Sequence, residues 1–170
     1  MIARPQLKLA MRPMLPADMP ILAEIFRASI EELSAHDYTP AQQAAWAAAA
    51  DDEEEFAARI SSELTLVATL GGDAIGFASL ADNSRIDMLY VHPAAAGQGV
   101  GAMLCDALET LAAARGTKEL SVDASDSARG FFERRGFVAK IRNSVTVGDE
   151  WLANTTMVKS LPARARGRLQ

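Results

Sequence analysis

The chain has 170 residues, of which 49% are hydrophobic and 23% charged, the size and balance of one globular domain with a sizeable core. Its net charge of −5 argues against a nucleic-acid-binding protein, and no apolar run approaches the roughly 20 residues that span a membrane. Cys105 is the only cysteine, so an internal disulfide is excluded, and this cysteine usage is typical of a reducing cytoplasm. With one cysteine and two histidines, a zinc site is disfavoured.

The N-terminal third is predicted to form one strand and then helices. Residues 7–14 alternate weakly between apolar and polar, and apolar residues at helical spacing predict a helix over residues 16–35. A second helix is predicted over residues 39–50, where Thr39 can act as the cap. Acidic residues open a third helix over residues 51–60; they complement the helix dipole, with a cation-binding patch as the less favoured alternative.

The rest of the chain alternates strands with two helices. Strands are predicted over residues 64–70, 74–81, 85–91, 119–124, 137–147 and 151–161. Helices are predicted from residue 100 to Gly116, a C-terminal stop signal, and over residues 125–135. This order predicts an α/β (α+β) fold with one mixed sheet in one domain, followed by an Arg-rich tail over residues 162–170.

A glycine-rich turn separates the strand over residues 85–91 from the helix that follows. Gly97, Gly99 and Gly101 occupy alternate positions directly before the apolar helical pattern. The first N–H groups of a helix lack partners within it, and glycine permits close approach, so this arrangement is typical of a phosphate cradle. A P-loop is excluded because Gly101 is followed by Ala102 and Met103, and the spacing does not fit a dinucleotide fingerprint.

Two stretches resemble a known family. The segment LYVHPAAAGQGVGAML, together with SDSARGFFERRGF, is similar to the GNAT superfamily of acyl-CoA-dependent N-acyltransferases, and the resemblance extends over about residues 7–161. In the family turn, Gln/Arg-x-x-Gly-x-Gly/Ala, Gly99 and Gly101 match but the first position is Ala96. The resemblance implies a GNAT-like fold, a mostly antiparallel mixed sheet with splayed central strands flanked by helices, and acetyl-CoA as acyl donor.

The same resemblance implies where coenzyme A binds. Main-chain N–H groups of the turn would hold the pyrophosphate, and the edge of the preceding strand would take the pantetheine arm as an added strand, with the Leu89 N–H as oxyanion donor. The short helix at residues 125–135 would flank the other side, with Arg134 either a phosphate partner or a solvated surface arginine. The implied contacts are Leu89, Tyr90, Val91, Gly97, Gln98, Gly99, Val100, Gly101, Ala102, Ser125, Ala128, Phe131, Phe132 and Arg134.

The family's usual general acid is missing. Phe132 stands where many members place a tyrosine that protonates the leaving thiolate, so another residue or water must supply the proton, or catalysis is slow. Tyr38 could replace that acid, Trp46 could form an aromatic wall of the acceptor pocket, and Tyr90 is a further candidate there. The alternative is that Tyr38 and Trp46 only anchor the turn between two helices.

Asp87 is the candidate base. It interrupts an apolar strand and shares a face with Leu89 and Val91 if the strand is regular, so its carboxylate could take a proton from the attacking amine. The alternative is a strand-end carboxylate satisfied by the backbone or by Arg85.

The predicted function is N-acetyl transfer from acetyl-CoA to an amine of a small molecule or peptide, by direct attack in a ternary complex. The acidic N-terminal third favours a cationic acceptor, and a homodimer is compatible with the sequence; no nucleic acid, membrane or metal is expected to bind. Ala96 and Phe132 leave open an acyl-CoA-binding module with little catalysis. Acylation of a hydroxyl, or use of a longer acyl group, is a third alternative.

Overall fold

A seven-stranded sheet forms the centre of the computed structural model, which describes residues 6–162. The strands are β1 (Leu9–Pro13), β2 (Leu64–Leu70), β3 (Asp73–Ala81), β4 (Arg85–Val91), β5 (Glu119–Ser125), β6 (Val138–Val147) and β7 (Glu150–Ser160). Their spatial order is β1-β2-β3-β4-β5-β7-β6, and every neighbouring pair is antiparallel except β4 and β5. The mixed, mostly antiparallel sheet predicted from the sequence is confirmed. Most of the predicted Arg-rich tail, residues 163–170, lies outside the described residues.

In the described part of the chain, five α-helices flank the sheet: α1 (Met19–Leu33), α2 (Pro40–Ala47), α3 (Glu53–Ser61), α4 (Val100–Ala114) and α5 (Arg129–Arg134). Thr39 caps α2 as predicted: its hydroxyl accepts the Gln42 N–H at 3.1 Å, and the Gln42 side chain accepts the Thr39 N–H at 2.9 Å. Three helices are clearly shorter than predicted. Residues 16–18 form a 3-10 turn before α1, and residues 48–50 form another after α2. The start of α5 is late because Ser125 still belongs to β5 and residues 126–128 form a turn.

The core has a layer on each face of the sheet. On one face, Leu104 and Leu108 of α4 pack in a buried cluster with Met157 of β7. On the other face, Phe26 of α1 and Ile60 of α3 belong to a second buried cluster that includes strand residues of β2, β3 and β4. The sheet is therefore covered by helices on both sides, as the 3.6-residue apolar spacing of α1 and α4 predicts. Within residues 6–162, no helix has both the length and the apolarity needed to cross a membrane.

The centre of the sheet is split. β4 and β5 pair at two positions, Arg85 with Ser121 and Ile86 with Val122, and residues 87–91 then have no partner on β5. This geometry confirms the predicted splay of the central strands and leaves one edge of β4 free in the middle of the molecule.

β4 is not a regular strand. Ser79 of β3 faces Met88, and Leu80 faces Ile86, so Asp87 is an extra residue in β4. The expectation that Asp87 shares a face with Leu89 and Val91 is therefore wrong. Leu89 and Val91 pack against the core cluster that contains α4, whereas the Asp87 carboxylate contacts Arg59 of α3.

Candidate active site

The turn between β4 and α4 presents a run of main-chain amides. Gly97 and Gly99 have φ angles of +75° and +81°, which residues with side chains rarely adopt. Across residues 6–162, no main-chain or side-chain acceptor bonds the N–H groups of residues 97–102. A Cβ added at Gly97 or Gly99 would meet no atom within 4 Å, so the turn opens to free space. These amides, with the dipole of a 15-residue helix behind them, form a site suited to a phosphate group.

A cleft runs from this turn along the free edge of β4. We call it the donor cleft; eight of the predicted coenzyme contacts line it, namely Leu89, Tyr90, Val91, Gly101, Ser125, Ala128, Phe131 and Phe132. A Cβ at Gly101 would touch the Phe131 ring at 3.5 Å, so the missing side chain at position 101 sets the width of the cleft. Gly97, Gln98, Gly99, Val100 and Ala102 lie at the turn itself. Arg134 is exposed and outside the donor-cleft lining.

A second cleft meets the first one. It is bounded by α2, α3 and the β6–β7 hairpin, and we call it the acceptor cleft. The residues that line both clefts are Trp46, Ile86, Asp87, Tyr90, Asp123 and Ser125. Two molecules bound in the two clefts would therefore touch at a junction that carries two carboxylates, those of Asp87 and Asp123, and two hydroxyl groups, those of Tyr90 and Ser125.

Asp87 is held by two arginines at this junction. Arg59 donates from Nε and Nη2 at 2.8 and 2.9 Å, and Arg85 donates from Nη1 at 2.7 Å. The Asp87 side chain is 4% exposed. Burial is the largest single influence and opposes ionisation, but the hydrogen bonds and positive charge of Arg59, together with the hydrogen bond from Arg85, outweigh it and lower the pKa of Asp87 to about 2. The pairing with Arg85 considered from the sequence is thus present, and Asp87 alone is a weak proton acceptor.

Glu63 is a fourth charged group beside this cluster, and the sequence pattern does not single it out. It lies between α3 and β2, where an acidic residue looks like an ordinary solvated connection. Burial, followed by the influence of the Asp87 carboxylate, raises the pKa of Glu63 to about 7. Its Oε2 atom is buried and has no hydrogen-bond partner among residues 6–162, and the same is true of Ser79 Oγ.

Tyr38 bridges separate parts of the chain. Its hydroxyl donates to the Ala153 carbonyl at 2.7 Å and accepts from the Asp126 N–H at 2.8 Å. The loop between α1 and α2 is thereby tied to β7 and to the loop after β5. The Trp46 ring lies edge-on to Tyr38 and to Tyr90, at centroid distances of 5.5 and 6.3 Å. This geometry matches the anchoring role considered for Tyr38 and places Trp46 as a wall of both clefts.

The usual position of the acid is apolar here. Phe132 is 2% exposed, and its ring lies 5.1 Å from that of Phe131 and 5.2 Å from that of Phe137. Two hydroxyls lie at the junction instead. The Ser125 oxygen accepts the Ala128 N–H at 3.1 Å, which leaves its own proton available. Burial raises the pKa of Tyr90 to about 12, so Tyr90 stays protonated.

Comparisons with known proteins agree with this geometry. A family model described as an acetyltransferase (GNAT) domain matches residues 34–161. The Escherichia coli (strain K12) protein YafP, an uncharacterized N-acetyltransferase, is 32% identical over 142 residues, which is 84% of this chain and 89% of YafP.

Solved structures share the fold. A GCN5-related N-acetyltransferase from Rhodopseudomonas palustris superposes with a TM-score of 0.90 at 59% identity, over 93% of this chain and 99% of that one. The PaiA N-acetyltransferase of Thermoplasma acidophilum, solved with coenzyme A, gives a TM-score of 0.72 at 20% identity over 90% of this chain and 99% of that one. At that lower identity the likeness concerns the fold.

Proposed function

Because this chain belongs to the GNAT acetyltransferase family, we propose that it moves an acetyl group from acetyl-CoA to an amine of a small molecule or peptide by direct attack in a ternary complex. The observation that carries the proposal is the meeting of the donor and acceptor clefts at Asp87, Tyr90 and Ser125. Reactants held in two joined clefts need no covalent acetyl-enzyme. Cys105 supports this view, since it is buried in α4 and burial raises the pKa of its thiol to about 11.

The donor side of the site fits coenzyme A. The free amides of residues 97–102 would hold its pyrophosphate, and the unpaired edge of β4 would take the pantetheine amides as an added strand. When bound, acetyl-CoA supplies a thioester carbonyl that an amine can attack. The Leu89 N–H is the proposed donor to that carbonyl oxygen, and Ser125 and Ala128 flank the arm from the other side.

The acceptor side supplies walls and proton carriers. Trp46 and Tyr90 form the aromatic wall against which the acceptor lies. Asp87, a weak acceptor by itself, is the proposed base for the acceptor's ammonium, acting directly or through water. The Ser125 hydroxyl is our choice for the donor to the leaving sulfur, because its oxygen already accepts from Ala128. The Tyr38 proton is bonded to the Ala153 carbonyl, so we assign Tyr38 to holding the cleft in shape instead of to acid catalysis.

The test combines binding with turnover. Titration calorimetry with acetyl-CoA and thiol release over a panel of small amines and peptide N-termini are expected to show binding and turnover of at least one amine. Asp87→Asn should lose turnover but keep acetyl-CoA binding, whereas Asp73→Asn, at the exposed first position of β3, should keep both.

Two results would redirect the assignment. Binding without turnover of any amine would favour the second candidate, an acyl-CoA-binding module, for which the buried Phe132 is the specific observation. Absence of acetyl-CoA binding would overturn both candidates.

The remaining assignments are proposals of the same kind. We assign the acetyltransferase domain to residues 7–161 and propose a cytoplasmic location, supported by the single, buried Cys105. A homodimer is the assembly to test by light scattering, because Val138 and Ile141 on the edge strand β6 are more than half exposed.

A further inference from the structure

We propose that the acceptor is a free amino acid with an apolar side chain, whose carboxylate binds Arg59 and Arg85 and whose ammonium binds Asp123. All three residues line the acceptor cleft. The inference rests on the proposed function, because it names the amine that this cleft takes. It also narrows that function, since a peptide N-terminus has an amide where a free amino acid has its carboxylate.

The two central strands separate at the acceptor cleft. The last ladder pair between them is Ile86 with Val122. The next residue on each strand is a carboxylate, Asp87 on β4 and Asp123 on β5. Both carboxylates line both clefts, so they flank the place where the acceptor nitrogen must meet the thioester. Their partners differ, so the two walls of the cleft carry different charges.

The wall formed by α3 and β4 keeps unused N–H donors. Asp87 accepts from Nε and Nη2 of Arg59 and from Nη1 of Arg85. The other guanidinium nitrogens, Arg59 Nη1 and Arg85 Nε and Nη2, have no hydrogen-bond acceptor among residues 6–162. The two arginine side chains are 47% and 44% exposed. They can therefore bind a second carboxylate while they hold Asp87, and the planar guanidinium group is suited to that partner.

The wall formed by β5 presents a carboxylate that no Lys or Arg of residues 6–162 neutralises. Asp123 is exposed, and its Oδ1 atom accepts from the Thr156 hydroxyl at 2.6 Å. Thr156 in turn accepts from Asn143 Nδ2 at 2.8 Å, and Asn143 also donates to Asn154 at 2.9 Å. These hydrogen bonds fix one oxygen of Asp123 and leave the other free for an ammonium group.

The rest of the acceptor cleft is largely apolar. Val145, Val147 and Leu152 of the β6–β7 hairpin line it, together with the Trp46 ring. The ammonium and the carboxylate of an amino acid share one carbon atom, so the side chain is the group left to contact these residues, and burial of an apolar side chain is favourable. A polyamine would face the two arginines, and a phosphate dianion would face two carboxylates, so like charges disfavour both.

The first test measures binding without turnover. The chain has two tryptophans, so the indole N–H signal that persists in Trp151→Phe belongs to Trp46. In the full chain, this signal should shift on titration with L-leucine, L-phenylalanine or L-methionine. For at least one of them, half-saturation should need about tenfold more of the carboxamide than of the free acid, because the amide cannot accept as an anion from the half-exposed arginines. Equal half-saturation within every pair, or no shift at all, would overturn the proposal.

The second test compares kcat/KM for the same acid and amide pairs. The acid-to-amide ratio should fall about tenfold in Arg85→Gln, and Arg85→Lys should restore part of it. Ratios are compared between proteins, since the basicity of each amine is the same for every variant. Arg27→Gln, at a partly exposed arginine outside both clefts, should match the parent ratio. If Arg85 serves only to hold Asp87, both rates fall equally and the ratio is unchanged, which would refute the carboxylate site.

Asp123→Asn tests the other end of the acceptor. It should raise KM for acid and amide alike, because both carry the ammonium, and leave their ratio unchanged. An unchanged KM would refute the ammonium site. Turnover of amines without any preference for the free acid would refute this inference and leave the proposed function intact. If no amine reacts, the proposed function fails, and the Trp46 titration decides the amino-acid site independently.

Discussion

The glycine turn offers the sharpest single test, because the chain contains a matched control. Gly99, the N-cap that directly precedes α4, has φ +81°, and Gly72, in the β2–β3 turn, has φ +92°. A Cβ at either position would meet no atom within 4 Å. Alanine therefore imposes the same kind of backbone strain at both sites and no steric clash at either. The two variants differ only in whether the strained turn carries the free amides of residues 97–102.

The expected magnitudes follow from that difference. A non-glycine residue in the left-handed region costs roughly 1–2 kcal/mol, so Gly99→Ala and Gly72→Ala should lose similar free energies of unfolding. A hydrogen bond to a charged group is worth about 1.5–3 kcal/mol. If the strain misdirects one amide away from the pyrophosphate, the Kd for coenzyme A should rise about 10- to 150-fold in Gly99→Ala and stay near the parent value in Gly72→Ala.

The assay is titration calorimetry with coenzyme A, paired with urea unfolding of both variants. Equal losses of unfolding free energy with unequal losses of affinity are expected. A Gly99→Ala protein that binds coenzyme A within twofold of the parent would show that the turn is not the anion site, and the donor side of the proposal would then be wrong.

Three further substitutions test other parts of the site. Tyr38→Phe leaves the Ala153 carbonyl and the Asp126 N–H without their hydrogen-bond partner. The variant should therefore lose about 1–3 kcal/mol of unfolding free energy, measured in urea, and show a higher KM for the amine. Unchanged stability would contradict the bridging role. Phe132→Tyr restores a hydroxyl where many relatives carry one, and should raise kcat with the Kd for coenzyme A unchanged; an equal or lower kcat would show that the proton comes from elsewhere. The pKa of Glu63 is raised to about 7 from an ordinary value of 4.5, so the stability that it contributes is full below pH 4.5 and lost as the pH rises through about 7. Glu63→Gln should therefore match the parent near pH 5 and exceed its unfolding free energy at pH 8, and a constant difference between the two would contradict the raised pKa.

Local patterns predicted most of the architecture. The strand over residues 64–70 and the strand over residues 85–91 have the predicted bounds, because period and turn signals are local properties of the chain. The start of α4 directly after Gly99 also follows from local sequence. The position of β7 between β5 and β6 does not, because strand order depends on pairing between distant segments.

The chemistry of the site was less accessible from sequence for the same reason. Asp87 is an extra residue only when β4 is paired with β3, because a bulge is defined by the register of two strands. The sequence of β4 alone therefore looks like that of a regular strand. Burial raises the pKa of Glu63, although Glu63 lies in a connection that carries no motif. The Tyr38 hydroxyl finds its partners 88 and 115 residues further along the chain. Each of these features arises from tertiary packing and not from residue spacing.

The two residue pairs between β4 and β5 have a mechanical consequence. They are the only ladder pairs that join the half-sheet β1–β4 to the half-sheet β5–β7 in the described chain, so few main-chain hydrogen bonds hold the two halves together. A pantetheine arm bound between the two half-sheets would form main-chain hydrogen bonds with residues of β4 that have no partner on β5. The bound ligand would then help to hold the two half-sheets together. Amide hydrogen exchange should then slow in both half-sheets when the ligand binds, including at positions that never touch it.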